Sequence, residues 1–430
     1  MKVIRLKHLL KGNFGGVWGD DLDCNENSYT YILRSTEQNE NGNWVINWES
    51  VARRNLLRVT NFHTLKKNDI VITKSSGSAG HIGKATLVDE NIEKLHCSFS
   101  NFMQCLQLDA GKCNPRFYWY YLNSRHCKEQ YKISCTTSTG LLNLNSDTFN
   151  NLNVPFFSVE YQNQCVAFLD KTISKIEDAI EKHKIQLDFL SSYRQSLITR
   201  AVTKGLDPNV EMKDSGVAWI GKIPRNFKTI KLKYCLKSPL QYGATESGCA
   251  EEENYIRYIR ITDINPSGFL KENGKLYLPK EIAEQYPVKT KDILFARSGA
   301  TVGKTYFHNN KDDCCFAGYL IKASLSDSKI LPKFFYYFTK SACYDFWKDI
   351  TLSKATIQNI SADRLNDLSV VCPPIQDQIQ IIKFCDDLIN ETEAIAEIIK
   401  TTCNLLIEYR TSLISAAVTG QLAIDEEASA

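Results

Sequence analysis

An excess of charge of one sign is almost absent from this chain. Lys and Arg total 52 against 49 Asp and Glu, a net +3 over 430 residues. A bulk polyanion-binding tail is thereby excluded, and any basic surface has to be local. Long hydrophobic runs are missing as well. No stretch reaches 18 apolar residues, so no membrane-spanning helix is expected. The basic start MKVIRLKHLLKGN has neither a long apolar core nor a cleavage site, so a secretory leader is not expected and the expected location is cytoplasmic. Cysteine is plentiful at 15, but no pair is spaced CxxC and the nearest two are Cys314 and Cys315. His96-Cys97 and His126-Cys127 lack zinc-ligand spacing. The cysteines therefore read as free, mostly buried thiols, with no metal site and no disulfide framework. The remaining composition, 43% hydrophobic and 23% charged, excludes collagenous, low-complexity and disordered classes.

Catalytic motifs are equally scarce. There is no Gly-rich methyl-donor loop, no N-P-P-[FY] tetrapeptide (Asn114-Pro115-Arg116-Phe117 breaks it at the third position), no HExxH and no GxSxG. The segment Ser298-Gly299-Ala300-Thr301-Val302-Gly303-Lys304-Thr305 approaches a phosphate-cradling P-loop, but its first glycine stands one residue too close. In the matching GSAGHIGKA, Gly77 is one residue too far and Ala85 replaces the metal-binding hydroxyl. No catalytic residue and no cofactor are expected.

What the chain does contain is itself, twice. YRQSLITRAVT at 193–203 and YRTSLISAAVT at 409–419 share eight of eleven positions at an offset of 216. The offset holds upstream through Asp147/Asp363, Asn150/Asn366, Gln162/Gln378, Asp170/Asp386 and Glu177/Glu393, then drifts as loop insertions would make it. Pro115-Arg116-Phe117 answers Pro332-Lys333-Phe334, Lys74-Ser75 answers Arg297-Ser298, Gly83-Lys84 answers Gly303-Lys304, and KVIRLKHLLK at 2–11 answers KTIKLKYCLK at 228–237. Two copies are too few for a solenoid and suit two similar globular domains.

Each copy opens with short β-rich runs punctuated by Gly, Asn and Ser, the pattern of a mixed α/β (α+β) domain. Each then passes a proline (Pro155; Pro373-Pro374) into a stretch free of Pro and Gly, 160–203 and 376–419. Leu169, Ile173, Ile176, Ile180, Leu187, Leu190 and Leu197 alternate intervals of four and three, with His183 and Arg194 interrupting. Cys385, Ile389, Ala396, Ile399, Cys403, Leu406 and Leu413 repeat the register, weakened by Thr392. That is a coiled-coil seam. Two helices of about 60 Å exceed the diameter of the domains they follow, which favours an antiparallel pair acting as a spacer over an ordinary surface helix. The divisions expected are a first globular domain 1–159, a long helix 160–204, a linker 205–227, a second globular domain 228–375, a second long helix 376–420 and an acidic tail 421–430.

The basic Gly/Ser loops follow strands in both copies. Strand-then-loop geometry can present backbone N–H groups and cations to phosphate, so Lys74, Ser75, Lys84, Arg297, Ser298 and Lys304 are the candidate DNA contacts. A plain turn using glycine for positive φ is the competing reading. The aromatic runs 117–121 and 334–338 are read as core packing rather than base stacking. The hydroxyl-rich loops 136–139 and 351–354 suit either turn capping or phosphate contact.

The duplicated YRxSLIxxAVT helix ends, KDSGVAWIGKIPRNF at 213–227, and the V-P-like strand ends before each helix (Asn153-Val154-Pro155; Val371-Cys372-Pro373-Pro374) resemble the specificity subunit of type I restriction–modification systems over essentially the whole chain. One departure is that no WIG-x-IP segment precedes KVIRLKHLL. The resemblance implies two target recognition domains, each reading one half of a bipartite double-stranded DNA site. It implies an antiparallel helix pair, with Ile173, Ile176, Ile180, Leu187, Leu190, Ile389, Ile399 and Leu406 in the seam, that sets the spacing and docks two methyltransferase subunits. Restriction subunits would join that core, and the chain itself would be non-catalytic. A single-chain DNA-modifying enzyme and an interaction scaffold without a DNA role are the alternatives that the residues alone leave open.

Overall fold

The computed structural model describes residues 2–21, 29–56, 62–78, 80–138, 141–265, 268–299, 301–353 and 359–424. The chain divides into two compact units, Met1–His183 with Lys400–Ala430, and Lys184–Ile399. Both long helices are continuous, Val159–Lys204 and Ile375–Val418. Each contributes one half to each unit, so the boundaries pass through the helices rather than around them.

In the first unit, a four-stranded antiparallel sheet runs in the order Leu10–Gly15, Met103–Leu108, Ile70–Thr73, Ala85–Leu87. Ile70–Thr73 is buried at all four positions, which is why it reads as an unbroken apolar run rather than an alternating one. A second sheet joins Thr30–Leu33 antiparallel to Ala52–Arg54 and parallel to Ser98–Phe99. The strand Lys2–Arg5 pairs with Asn153–Phe156, bringing the start of the unit to the foot of the long helix.

The second unit repeats this plan. Its sheets run Gln241–Tyr242, Leu320–Ala323, Ile293–Ala296, Thr305–Phe307 and Leu276–Pro279, Tyr255–Ile259, Cys314–Phe316, Pro287–Val288. Lys228–Lys231 pairs with Ser369–Cys372 as its counterpart does. KDSGVAWIGKIPRNF forms a hairpin, Met212–Asp214 against Lys222–Pro224, whose Ile220, Ile223 and Phe227 enter the core of this unit.

The aromatic runs lie on helices Pro115–Asn123 and Pro332–Phe338, each with proline in its first turn. Phe117 through Tyr121 are all buried, as are Phe334, Phe335, Tyr337 and Phe338, so these rings hold the core. Each helix is fastened to its long helix by the same polar set. Asp170 accepts bonds from Arg116 Nε (2.8 Å) and Tyr120 Oη (2.5 Å), and Asp386 accepts them from Lys333 Nζ (2.8 Å) and the Tyr337 hydroxyl. The Gln162 and Gln378 amide oxygens each take the backbone N–H at the start of the short helix, at 2.7 Å in both units.

Within each unit the two long helices run antiparallel. In the first, Tyr161 Oη donates to the Ala417 carbonyl (3.0 Å) while Arg410 pairs with Glu177 (3.3 Å). In the second, Arg194 lies 3.9 Å from Glu393. These ion pairs are one pair made twice with the helices exchanged, since Arg194 and Glu177 are the repeat counterparts of Arg410 and Glu393. Ile173, Ile176 and Ile180 are buried in the first unit's core, with Leu406 packed against it. Ile389 packs on the second unit's core, and Leu190 and Ile399 line one groove of that unit, while Leu187 is half-buried. Among the described residues all cysteines are free thiols, and no helix is long and apolar enough to cross a membrane.

Candidate nucleic-acid interface

The strand Ile70–Thr73 leaves the buried sheet at Lys74. The Lys74 backbone N–H donates to the Phe102 carbonyl (2.9 Å), the Ser75 N–H donates to the same oxygen (3.2 Å), and the Leu144 N–H closes on the Lys74 carbonyl (2.8 Å). The Lys74 ammonium donates to Gln104 Oε1 (3.1 Å), and Ser75 Oγ donates to Asn143 Oδ1 (2.5 Å). Partial burial pushes the Lys74 amine below its ordinary pKa.

The second unit builds the same corner with different side chains. The Arg297 N–H donates to the Tyr319 carbonyl (3.0 Å), and the Ile360 N–H closes on the Arg297 carbonyl (2.8 Å). Arg297 Nε donates to Asn359 Oδ1 (3.3 Å), its guanidinium stands 4.8 Å from the centre of the Tyr242 ring, and Ser298 pairs with Asn359 across a β-bridge. Each unit therefore brings together a cation, a serine, an asparagine and an exposed aromatic: Lys74, Ser75, Asn143, Phe102 and Arg297, Ser298, Asn359, Tyr319. Of these, Asn143, Asn359, Phe102 and Tyr319 escaped the sequence reading. Asn143 and Asn359 stand 216 residues apart and were open to it. Phe102 and Tyr319 stand 217 apart, within the region where the offset drifts.

Lys84 and Lys304 are placed differently from the expectation. Lys84 is only 9% exposed and its ammonium donates to the Gln38 carbonyl (2.8 Å). Half-buried Lys304 donates to the Ile264 carbonyl (3.0 Å). Both carbonyls follow the same turn, in which an arginine and an acid three residues on hold each other, Arg34 with Glu37 and Arg260 with Asp263. Desolvation lowers the pKa of both lysines. Their repetition thus reflects a brace between loops. Gly83 and Gly303 have φ of +74° and +82°, and a Cβ there would meet Tyr131 at 2.2 Å and Lys348 at 2.5 Å. The plain-turn reading accounts for this Gly-Lys pair. Of the hydroxyl-rich loops, Thr136–Ser138 is a strand paired with Leu141–Asn143, and Thr351–Ser353 ends a helix. Thr139 and Lys354 lie outside the described residues, as does Ala300 of the P-loop-like segment.

The first unit carries more at this end. Trp18 is exposed and meets Phe102 edge-on, ring centres 6.3 Å apart, with the Arg54 guanidinium 5.4 Å from the Trp18 ring. Nearby, Arg53 stands 5.2 and 5.7 Å from the Tyr29 and Tyr31 rings. Among the described residues one group could hold a metal, His63, Asp69 and Cys105. His63 Nε2 lies 2.6 Å from Asp69, whose same carboxylate oxygen takes the Lys66 N–H (3.0 Å). Its counterpart Asp292 takes the Lys289 N–H (2.8 Å) in the same way, so the recurring role of this aspartate is to cap a turn.

A family model for the type I restriction modification DNA specificity domain matches residues 1–187 and 224–402. The chain is 21% identical over 407 residues to the type I restriction enzyme StySPI specificity subunit of Salmonella potsdam, covering 93% of this chain and 84% of that protein. Its fold is similar to a chain from a structure of type I R-M complex assembly and conformational transition, with a TM-score of 0.71 at 14% identity, covering 98% of each chain. It is also similar to the HsdS subunit of Thermoanaerobacter tengcongensis, with a TM-score of 0.52 at 14% identity, covering 98% of this chain and 97% of that one.

Proposed function

Because the chain belongs to the family of type I restriction–modification DNA specificity subunits, we propose that its two units each read one half of a bipartite double-stranded site. In this reading Lys74 and Arg297 meet phosphate, while Ser75, Asn143, Ser298 and Asn359 offer hydroxyl and amide groups to the backbone or to base edges. Phosphate contacts fix register on the duplex, and base-edge contacts carry the sequence information. The observation that supports it most is the twofold occurrence of one corner, built on a buried strand and made of a cation, a serine, an asparagine and an exposed ring. Lys84 and Lys304 are left out of the contact set and assigned to the fold.

The long helices serve as spacer and docking surface. Phe189 and Tyr193 of the first helix are exposed in the second unit, and their repeat counterparts Leu405 and Tyr409 of the second helix are exposed in the first. In the second unit Phe189, Leu190, Tyr193, Ile395 and Ile399 line a groove of about 470 Å³. An apolar face at the same helical position in both units suits two copies of one partner laying an amphipathic helix into it. These partners are two methyltransferase subunits, to which restriction subunits join in the cytoplasm. The chain supplies the address and the partners supply the chemistry.

The test is modular exchange. Replacing residues 1–150 by the matching region of a relative, in complex with methyltransferase subunits, should change one half of the methylated site. Methylation mapping that shows both halves altered would mean that the units do not read independently.

A further inference from the structure

We infer that Phe102 and Tyr319 are wedges that enter a base step of the duplex, one in each half-site; the inference rests on the DNA-reading function proposed above. Both residues sit at the same point of the fold, and their carbonyls hold the backbone of Lys74 and Arg297 at 2.9 and 3.0 Å. A cation positioned on phosphate therefore fixes where the ring lies relative to the base stack. Both rings are outside the core, Phe102 39% exposed and Tyr319 69% exposed.

The chemistry of the rings limits what they can read. Phe102 has no side-chain donor or acceptor and cannot discriminate base edges by hydrogen bonding; Tyr319 adds a hydroxyl at the ring tip, but its ring face has none either. In a duplex the faces of the bases are covered by their neighbours, so an exposed ring reaches one only by parting a step. Apolar wedges do this and bend the duplex as they enter. The surroundings are built for it. Trp18 stands edge-on to Phe102, and the guanidinium of Arg54, ion-paired with Asp21, lies against the Trp18 ring. At the second site Arg297 is held against Tyr242. The Trp18 partner belongs to the first unit only, so the first unit should open its step more fully than the second.

The experiment uses the chain assembled with its methyltransferase subunits and duplexes carrying 2-aminopurine at successive positions of each half-site, the site having been defined by methylation mapping. Binding of the unaltered complex should raise 2-aminopurine fluorescence at one step in each half. Phe102→Ala should abolish the rise in the first unit's half-site alone, Tyr319→Ala in the other alone. Each should weaken binding by about tenfold, the scale of one base–aromatic stack, without changing the slope of affinity against salt. Phe102→Trp should keep the signal. Unchanged affinity and fluorescence in both alanine variants would overturn the inference. So would loss of signal in Phe102→Trp equal to that in Phe102→Ala, because it would make the position a turn residue. Failure of the unaltered complex to retain any specific duplex would instead refute the DNA-reading proposal.

Discussion

Lys74 and Lys84 lie ten residues apart in one loop region and look alike in sequence, yet their ammonium groups have different partners and the proposed function gives them opposite duties, so exchanging each for a neutral residue tests the division into contact and scaffold. Removing Lys84 leaves the buried Gln38 carbonyl without its donor at 2.8 Å. Losing a charge-assisted bond of this kind costs about 1–3 kcal/mol, partly offset because the ammonium no longer has to be desolvated. In a unit of this size each kcal/mol moves the melting temperature by about 2–4 °C, so Lys84→Met should melt several degrees lower. Once folded and assembled it should bind DNA with an unaltered salt slope. Lys74→Ala should do the reverse. Among the described residues its ammonium donates to the Gln104 side chain alone, so stability should barely move. One lost phosphate contact should flatten the slope of log affinity against log salt by about 0.9. Over a fourfold rise in salt the variant should then lose about 3.5-fold less affinity than the unaltered complex. Calorimetry of the free chain and filter binding of the complex at several salt concentrations give both numbers. A Lys84→Met variant with normal melting and a flattened slope would refute the assignment.

Three further outcomes are expected. Phe189→Asp and Leu405→Asp should each block one docking face, so native mass spectrometry should show complexes with one methyltransferase subunit in place of two. Inserting seven residues after both His183 and Ile399 should lengthen the helix pair by about 10 Å, enough to add about three unread base pairs to the methylated site; an insertion near Lys204 would fall beside buried Ala201 and Val202 and disturb the second unit's core. Lys340 donates to the Thr305 carbonyl (3.1 Å), and its burial, with Lys304 nearby, pushes its pKa down to about 7. The unfolded chain therefore binds the extra proton between about pH 7 and pH 10. Over that window the second unit should gain stability as pH rises, and Lys340→Met should flatten the dependence in pH-resolved urea titrations.

The duplication, the two long helices and the family resemblance were open to the sequence because they rest on local patterns. An offset of 216 preserved through Asp170/Asp386 and Glu177/Glu393 survives any fold, and a Pro- and Gly-free stretch with four–three spacing has a helix as its stable form. The seam was legible only in part. Ile173, Ile176 and Ile180 are buried, whereas Leu187 and Leu190 are half-buried and Phe189 and Tyr193 face outward, because what covers a helix depends on which unit its residues join. The candidate interface was legible least. Lys74 and Lys84 share charge and neighbourhood, and only the return of the chain at Gln38 decides that one ammonium is spent inside the protein. Phe102 acquires meaning only beside Lys74, through a bond between residues 28 positions apart. Sequence determines which groups a chain owns and their local periodicity. Which of them still face the outside is settled by desolvation and pairing in the folded state, and these are properties of contacts between distant segments.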